Sequence, residues 1–188
     1  MAVKNDKKII QLSRRTVYQN RWMQVNEDKV LFPSGVEGIY GVIDKPPFAI
    51  IIPVHEDGRI QMVQQFRYPV GKRCWELPQG AWEDNPDSDP ELLARGELAE
   101  ETGFRAKRMD KIGQMFPAGG LLNQLCHIFL AQELSAGEPQ REATESDMET
   151  AAFGLDEIMA MFEKGAMVDG TSMAALGYWQ MKEGRLKS

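Results

Sequence analysis

Apolar and polar residues alternate through much of the first half of the chain, with the period of a strand that has one buried face. The pattern predicts strands over Arg15–Asn20, Trp22–Val25, Lys29–Phe32 and Gly38–Ile43, with the turn Pro33-Ser34-Gly35 between the last two. Phe48–Val54 and Arg59–Phe66 read as two more strands, joined through Glu56-Asp57-Gly58. Asp-Gly between two β-rich runs is a strong hairpin signal. The prolines of Asp44-Lys45-Pro46-Pro47 set an extended linker, so a boundary is expected there. It divides an N-terminal β subdomain, residues 1–45, from a main body, residues 46–188.

The clearest helix lies in the middle of the chain. Asp89 suits the N-cap, Pro90 the first helical position and Gly103 the position just past the end. The residues between, Glu91 to Thr102, are nearly all helix formers. Strands resume over Met109–Met115 and Gln124–Leu130. Ser135 to Glu149 is polar and acidic and reads as a mobile loop. Leu155–Phe162 and Ser172–Met181 read as two closing helices. Hairpins with helices in the middle and at the end, rather than regular βαβ repeats, suggest a mixed α/β sandwich.

Composition narrows the function. The chain is 43% apolar and 27% charged, the profile of a folded protein with a core. Its longest apolar run, Phe48 to Val54, is far short of the ~20 residues a membrane helix needs. The polar N-terminus has no signal-peptide core, so a cytoplasmic protein without membrane contact is expected. A net charge of −6 argues against a nucleic-acid partner held by phosphate contacts. Cys74 and Cys126 fit reduced core residues, and with His55 and His127 they give no structural-zinc spacing. Those two histidines, expected to be structural, are also a thin supply for Ser-His or Cys-His catalysis. The abundant reactive group is carboxylate.

Glu97, Glu100 and Glu101 share one helical face, because spacings of three and four bring side chains together. Such a face either lies in solvent or holds a hard cation such as Mg²⁺, which prefers oxygen ligands and is often shared with substrate phosphates. The surroundings favour the cation. Trp75-Glu76-Leu77-Pro78-Gln79-Gly80 leads towards the helix, and the helix closes with Gly96-Glu97-Leu98-Ala99-Glu100-Glu101-Thr102-Gly103-Phe104. Together these resemble the Nudix box, Gly-x5-Glu-x7-Arg-Glu-apolar-x-Glu-Glu-x-Gly-apolar. Two positions depart. Gly96 stands where the box has Arg, and Ser88 falls where it has the first Glu, in a stretch longer than the pattern. In the family those two residues brace the loop against the helix. Arg95 is not expected to replace the arginine, since one residue turns about 100° around a helix.

The resemblance covers nearly the whole chain. Arg15-Thr-Val-Tyr18, Pro33-Ser-Gly35, Gln64-Gln-Phe-Arg-Tyr-Pro69 and Asp169-Gly-Thr-Ser-Met-Ala-Ala-Leu176 are similar to the ADP-ribose pyrophosphatase branch. It implies an α+β Nudix fold: a mixed β-sheet in an α/β/α sandwich with a small N-terminal antiparallel β subdomain, in a homodimer. It implies a hydrolase that uses Mg²⁺, or Mn²⁺ in its place, to split the diphosphate of a nucleoside diphosphate derivative. ADP-ribose, giving AMP and ribose 5-phosphate, is the expected substrate. The implied metal ligands are Glu97, Glu100, Glu101 and the backbone carbonyl of Gln79. Glu100, Glu101 or Glu145 is the candidate base, with Glu149 behind. Arg67, Glu76 and Gln124 are the substrate-side candidates, although Arg67 equally suits an ion pair with Glu76. Gly119 and Gln124 stand where the branch usually has Pro and Glu. They keep open another nucleoside diphosphate sugar or a dinucleotide as substrate. Gly96 and Ser88 keep open a weakly catalytic nucleotide sensor.

Overall fold

The computed structural model describes residues 8–141 and 145–184. The chain divides into two compact units. The first holds the residues up to Pro46 together with Phe116–Gln124. The second holds Pro47–Met115 and the residues from Leu125 onward.

The first unit is an antiparallel sheet of β1 (Ile10–Gln19), β2 (Gln24–Leu31) and β3 (Glu37–Asp44), in the order β1-β2-β3. Strand β2 is one continuous strand where the sequence suggests two. Its polar centre does not break it, because Asn26 and Asp28 are buried and satisfied. The Arg14 guanidinium donates to both oxygens of Asp28 at 2.8 Å and to Asp44 at 3.0 Å, and the Asn26 amide donates to Asp44 at 2.7 Å. Segment 116–124 joins this unit through a parallel bridge from Leu122 to Ile43 and an Asn123 amide that donates to Asp44 at 2.6 Å. Every residue of β1 is exposed, Ile10, Leu12, Val17 and Tyr18 among them.

The second unit is built around β4 (Phe48–Pro53), all six of whose residues are buried. Alternate side chains of a strand point to opposite faces, so this apolar run feeds two cores. Ala49 and Ile51 pack with Leu93, Ala94 and Leu98 of α1 (Pro90–Thr102) and with Phe129. Phe48, Ile50 and Ile52 pack with Ile158 of α2 (Leu155–Glu163) and with Ala175, Leu176 and Trp179 of α3 (Gly170–Lys182). Helices therefore cover both faces of the β layer.

That layer comprises two sheets. One runs β7 (Gln79–Gly80), β4, β9 (Cys126–Ser135), β8 (Arg105–Met115), and its β4–β9 pair is parallel. The other runs β10 (Glu149–Phe153), β5 (Ile60–Arg67), β6 (Lys72–Glu76). The loop expected over Ser135–Glu149 is trimmed at its ends: Ser135 closes β9, and Glu149 is the first residue of β10, paired to Gln64 of β5. What makes that segment a strand is its distant partner, and no local pattern reveals it. Residues 145–148 are also tied down. Arg73 donates to the Asp147 carboxylate at 2.6 Å and to its carbonyl at 2.7 Å, and Arg141 donates to the Met148 carbonyl at 2.5 Å. Residues 142–144 of that segment lie outside the described residues.

Helix α1 begins and ends as its residues dictate. The Asp89 carboxylate accepts the N–H groups of Glu91 and Leu92 at 2.7 and 3.2 Å, and Pro90 opens the helix. Gly103 closes it with φ +77°, a left-handed conformation that costs glycine little. A Cβ there would also strike the Gly137 carbonyl oxygen. Gly103→Ala is therefore expected to destabilise the protein by about 1–3 kcal/mol, read from the urea midpoint. An unchanged midpoint would contradict this account of the cap.

Candidate active site

Glu97, Glu100 and Glu101 lie on α1, and Glu145 lies in the segment that precedes β10. Glu97 and Glu101 sit on the inner face of α1 and are 8% and 1% exposed. Glu100, at the neighbouring position, is half-buried, and its carbonyl accepts the Gln140 N–H at 3.0 Å. Glu145 joins from the far loop, close enough for its charge to act on Glu101. Arg141 connects the two elements: it donates to the Glu101 carbonyl at 3.0 Å as well as to Met148. A cation at the C-terminal end of a helix is also well placed against the helix dipole. Glu149 is instead exposed at the start of β10.

Strand β7 closes over these carboxylates. The Gln79 N–H donates to Glu101 Oε2 at 3.1 Å. Gly80 lies directly against Glu97, and a Cβ on it would sit 2.5 Å from the carboxylate carbon. Any larger residue there would require the Glu97 carboxylate to move. The Glu101 carboxyl is held well above its usual range, chiefly by burial and then by the charges of Glu97 and Glu145. The Gln79 N–H and the Arg67 charge pull it the other way without prevailing.

A polar network holds β7 from behind. The Ser172 hydroxyl accepts the Leu77 N–H at 2.8 Å and donates to Asp169 at 2.6 Å, and Asp169 also caps α3 by accepting the Ser172 N–H. The Gln79 side-chain amide reaches Asp169 and Glu76 at 3.3 and 3.2 Å. Arg67 donates to Glu76 through Nε at 2.9 and 3.0 Å and through Nη2 at 2.6 Å. Of the two readings of Arg67, the structure thus shows the ion pair, with the guanidinium side chain 39% exposed. Glu76 is fully buried beneath it, so it orients Arg67 rather than meeting solvent. Gln124 belongs to the first unit, where it donates to the Pro46 carbonyl at 2.9 Å.

Other nucleophiles are poorly placed. Burial pushes the Cys126 thiol up to about 12, and both cysteines are free and buried. His55 pairs with Gln61 at 3.0 Å, and burial first, then Lys111, lowers the pKa of His127. Arg95 donates to Glu91 at 2.9 Å and to the Ala106 carbonyl at 2.7 Å, so it does not take the place of an arginine at position 96. Asp169, Ser172, Arg141 and Arg73 escape a reading of sequence spacing. Asp169 alone leaves a local trace, as a capping residue ahead of a helix.

Among the described residues, no group of three or more His, Cys, Asp and Glu side chains closes around a common point. The chemistry of the donors nevertheless suits a hard divalent ion. They are oxygen ligands, and two of them are buried carboxylates that act on one another as like charges.

Residues 44–176 match the NUDIX domain family, and residues 9–43 match the nucleoside diphosphate sugar hydrolase N-terminal domain. The chain belongs to the Nudix family. It is 30% identical to an ADP-ribose pyrophosphatase of Bacillus subtilis over 92% of both chains. It is 31% identical to a CMP-5'-(N-acetyl-N-hydroxy-3-aminopropyl)phosphonate hydrolase of Streptomyces rubellomurinus, over 87% of this chain and 77% of that one. A crystal structure of an ADP compounds hydrolase shares the fold with a TM-score of 0.81 at 20% identity, over 95% of this chain and 97% of that chain.

Burial and like charge make ionised Glu101 a burden on the metal-free fold. Its native pKa is raised above the unfolded value, so its favourable contribution is present at low pH. That contribution is lost as pH rises from the unfolded carboxyl pKa through the native one. Glu101→Gln is therefore expected to melt higher than wild type in EDTA, by a margin that grows with pH across this window. A variant that melts lower at pH 8 would contradict the buried-repulsion account.

Proposed function

We propose that this protein is a Mg²⁺-dependent pyrophosphohydrolase that splits ADP-ribose into AMP and ribose 5-phosphate. The observation that carries this is the buried Glu97–Glu101 pair under the Gly80 turn. Its electrostatics favour a divalent cation, and such a cation would be shared with a diphosphate. Glu97, Glu100, Glu101 and the Gln79 backbone would hold it. When bound, the ion supplies charge neutralisation on the diphosphate and a more acidic water.

The protein's own residues do the rest. The Gln79 N–H orients Glu101. Arg67, steadied by Glu76, offers its exposed edge to phosphate oxygens. Glu145, brought to Glu101 by Arg141 and Arg73, takes the proton as the water oxygen bonds to phosphorus and the bridging P–O bond breaks. Glu100 and Glu101 are the other acceptors on the helix.

The changed positions Gly119 and Gln124 favour a second reading of the substrate. The same chemistry would then act on another nucleoside diphosphate sugar or a dinucleotide. Gly119 has open space around it, with only the Phe116 side chain near an added Cβ. The exposed apolar side chains of β1 fit a homodimer contact. We place the protein in the cytoplasm, where buried Cys74 and Cys126 remain thiols. Among the described residues no helix is long and apolar enough to cross a membrane.

The test is product release from ADP-ribose, ADP-glucose, GDP-mannose and a dinucleotide with Mg²⁺, run beside Glu97→Gln. ADP-ribose is expected to be cleaved fastest. The variant is expected to lose at least the ~10–100-fold that follows from disturbing a metal ligand's support. A faster second substrate would move specificity to the second reading. Nucleotide binding without turnover of anything would make the protein a sensor.

A further inference from the structure

A glycine in the middle of α1 needs a reason, because glycine weakens a helix. Gly96 is helical, so backbone conformation does not supply one. Space does. A Cβ at position 96 would lie 2.5 Å from Trp82 Cζ2, 3.3 Å from Cη2 and 3.4 Å from Cε2. The six-membered edge of the indole rests on the helix backbone where any other residue would put a side chain.

Trp82 also sits at the pivot of the segment that links β7 to α1. It packs against the cluster of Ala49, Ile51, Leu93 and Leu98. Its carbonyl accepts the Asn85 N–H at 3.1 Å, and the Asn85 carbonyl accepts the Ser88 N–H at 3.1 Å, just before the Asp89 cap. Two residues before Trp82, Gly80 lies on Glu97, the residue after Gly96. The two contacts are therefore neighbours on one stretch of helix. Both contacts are made by the one short segment that runs from Gly80 to Trp82.

We infer that Trp82 is a positioning residue. With Gly96 as its seat, it fastens the 80–88 segment to α1 and holds Gln79 and Gly80 against Glu101 and Glu97. An aromatic contact from the loop thus does what a side chain on the helix would do at position 96. This rests on the hydrolase reading for its activity readout and stands apart from it through metal binding.

The test uses Trp82→Phe, Gly96→Ala and the double variant. Three readings are taken: Mn²⁺ affinity by calorimetry without substrate, kcat and KM with ADP-ribose and Mg²⁺, and melting temperature. The smaller phenyl ring withdraws from Gly96, and the added methyl pushes the indole away. Each single variant is expected to bind Mn²⁺ about tenfold more weakly and to lose about tenfold in kcat, in keeping with a misplaced site. In the double variant the methyl fills the space the smaller ring vacates. It is expected to return to within about twofold of wild type, the non-additivity of two side chains in contact.

Single variants that lower the melting temperature but keep Mn²⁺ affinity and kcat would overturn the inference. So would a double variant whose losses multiply. A wild-type protein that binds no Mn²⁺ and cleaves nothing would overturn the functional reading, and this inference with it. Unchanged variants of an active, metal-binding wild type would overturn this inference alone.

Discussion

Two carboxylates buried side by side, Glu97 and Glu101, are the constraint around which the second unit is arranged. Left alone they repel, and burial raises the cost of ionising either. The helix that carries them is anchored by Leu93, Ala94 and Leu98 against β4, so it cannot roll them out into solvent without losing that core. Glycine at position 80 lets the backbone of the turn lie against the Glu97 carboxylate, which a side chain there would displace. Partial compensation comes from the Gln79 N–H and from the charge of Arg67. Neither outweighs burial and like charge, so the Glu101 carboxyl stays well above its usual range.

The neighbouring polar groups follow from the same need for a fixed turn. Leu77 would be left with an orphaned buried N–H if the Ser172 hydroxyl did not accept it. Asp169 serves twice, capping α3 and receiving the Gln79 amide. The helix that closes the fold thereby holds the turn that covers the carboxylates. Arg141 and Arg73 hold the Glu145 segment in a comparable way. The last residues of a loop that looks solvated by composition are thus held by Arg141 from within the loop and by Arg73 of β6 from outside it.

What could be read from the sequence was what depends on near neighbours. The cap of α1 at Asp89, its proline and its closing Gly103 were legible because each acts within a turn of its own position. The three glutamates were legible because helical spacing brings them together. Strand β10 was not, since only pairing to β5 makes it a strand. The unbroken course of β2 was hidden as well, because Asn26 and Asp28 become interior residues only when Arg14 and Asp44 arrive from other strands. Arg67 was open between two readings until its partner was seen. The Trp82–Gly96 contact joins a loop to a helix, and the sequence registers it only as a departure from the box.

Anomalous diffraction from crystals grown with Mn²⁺ is the most direct test of the central claim. The account predicts at least one strong peak within coordination distance of Glu97 and Glu101, on the side covered by Gln79 and Gly80. Mn²⁺ bound elsewhere, with both carboxylates left without it, would contradict the account.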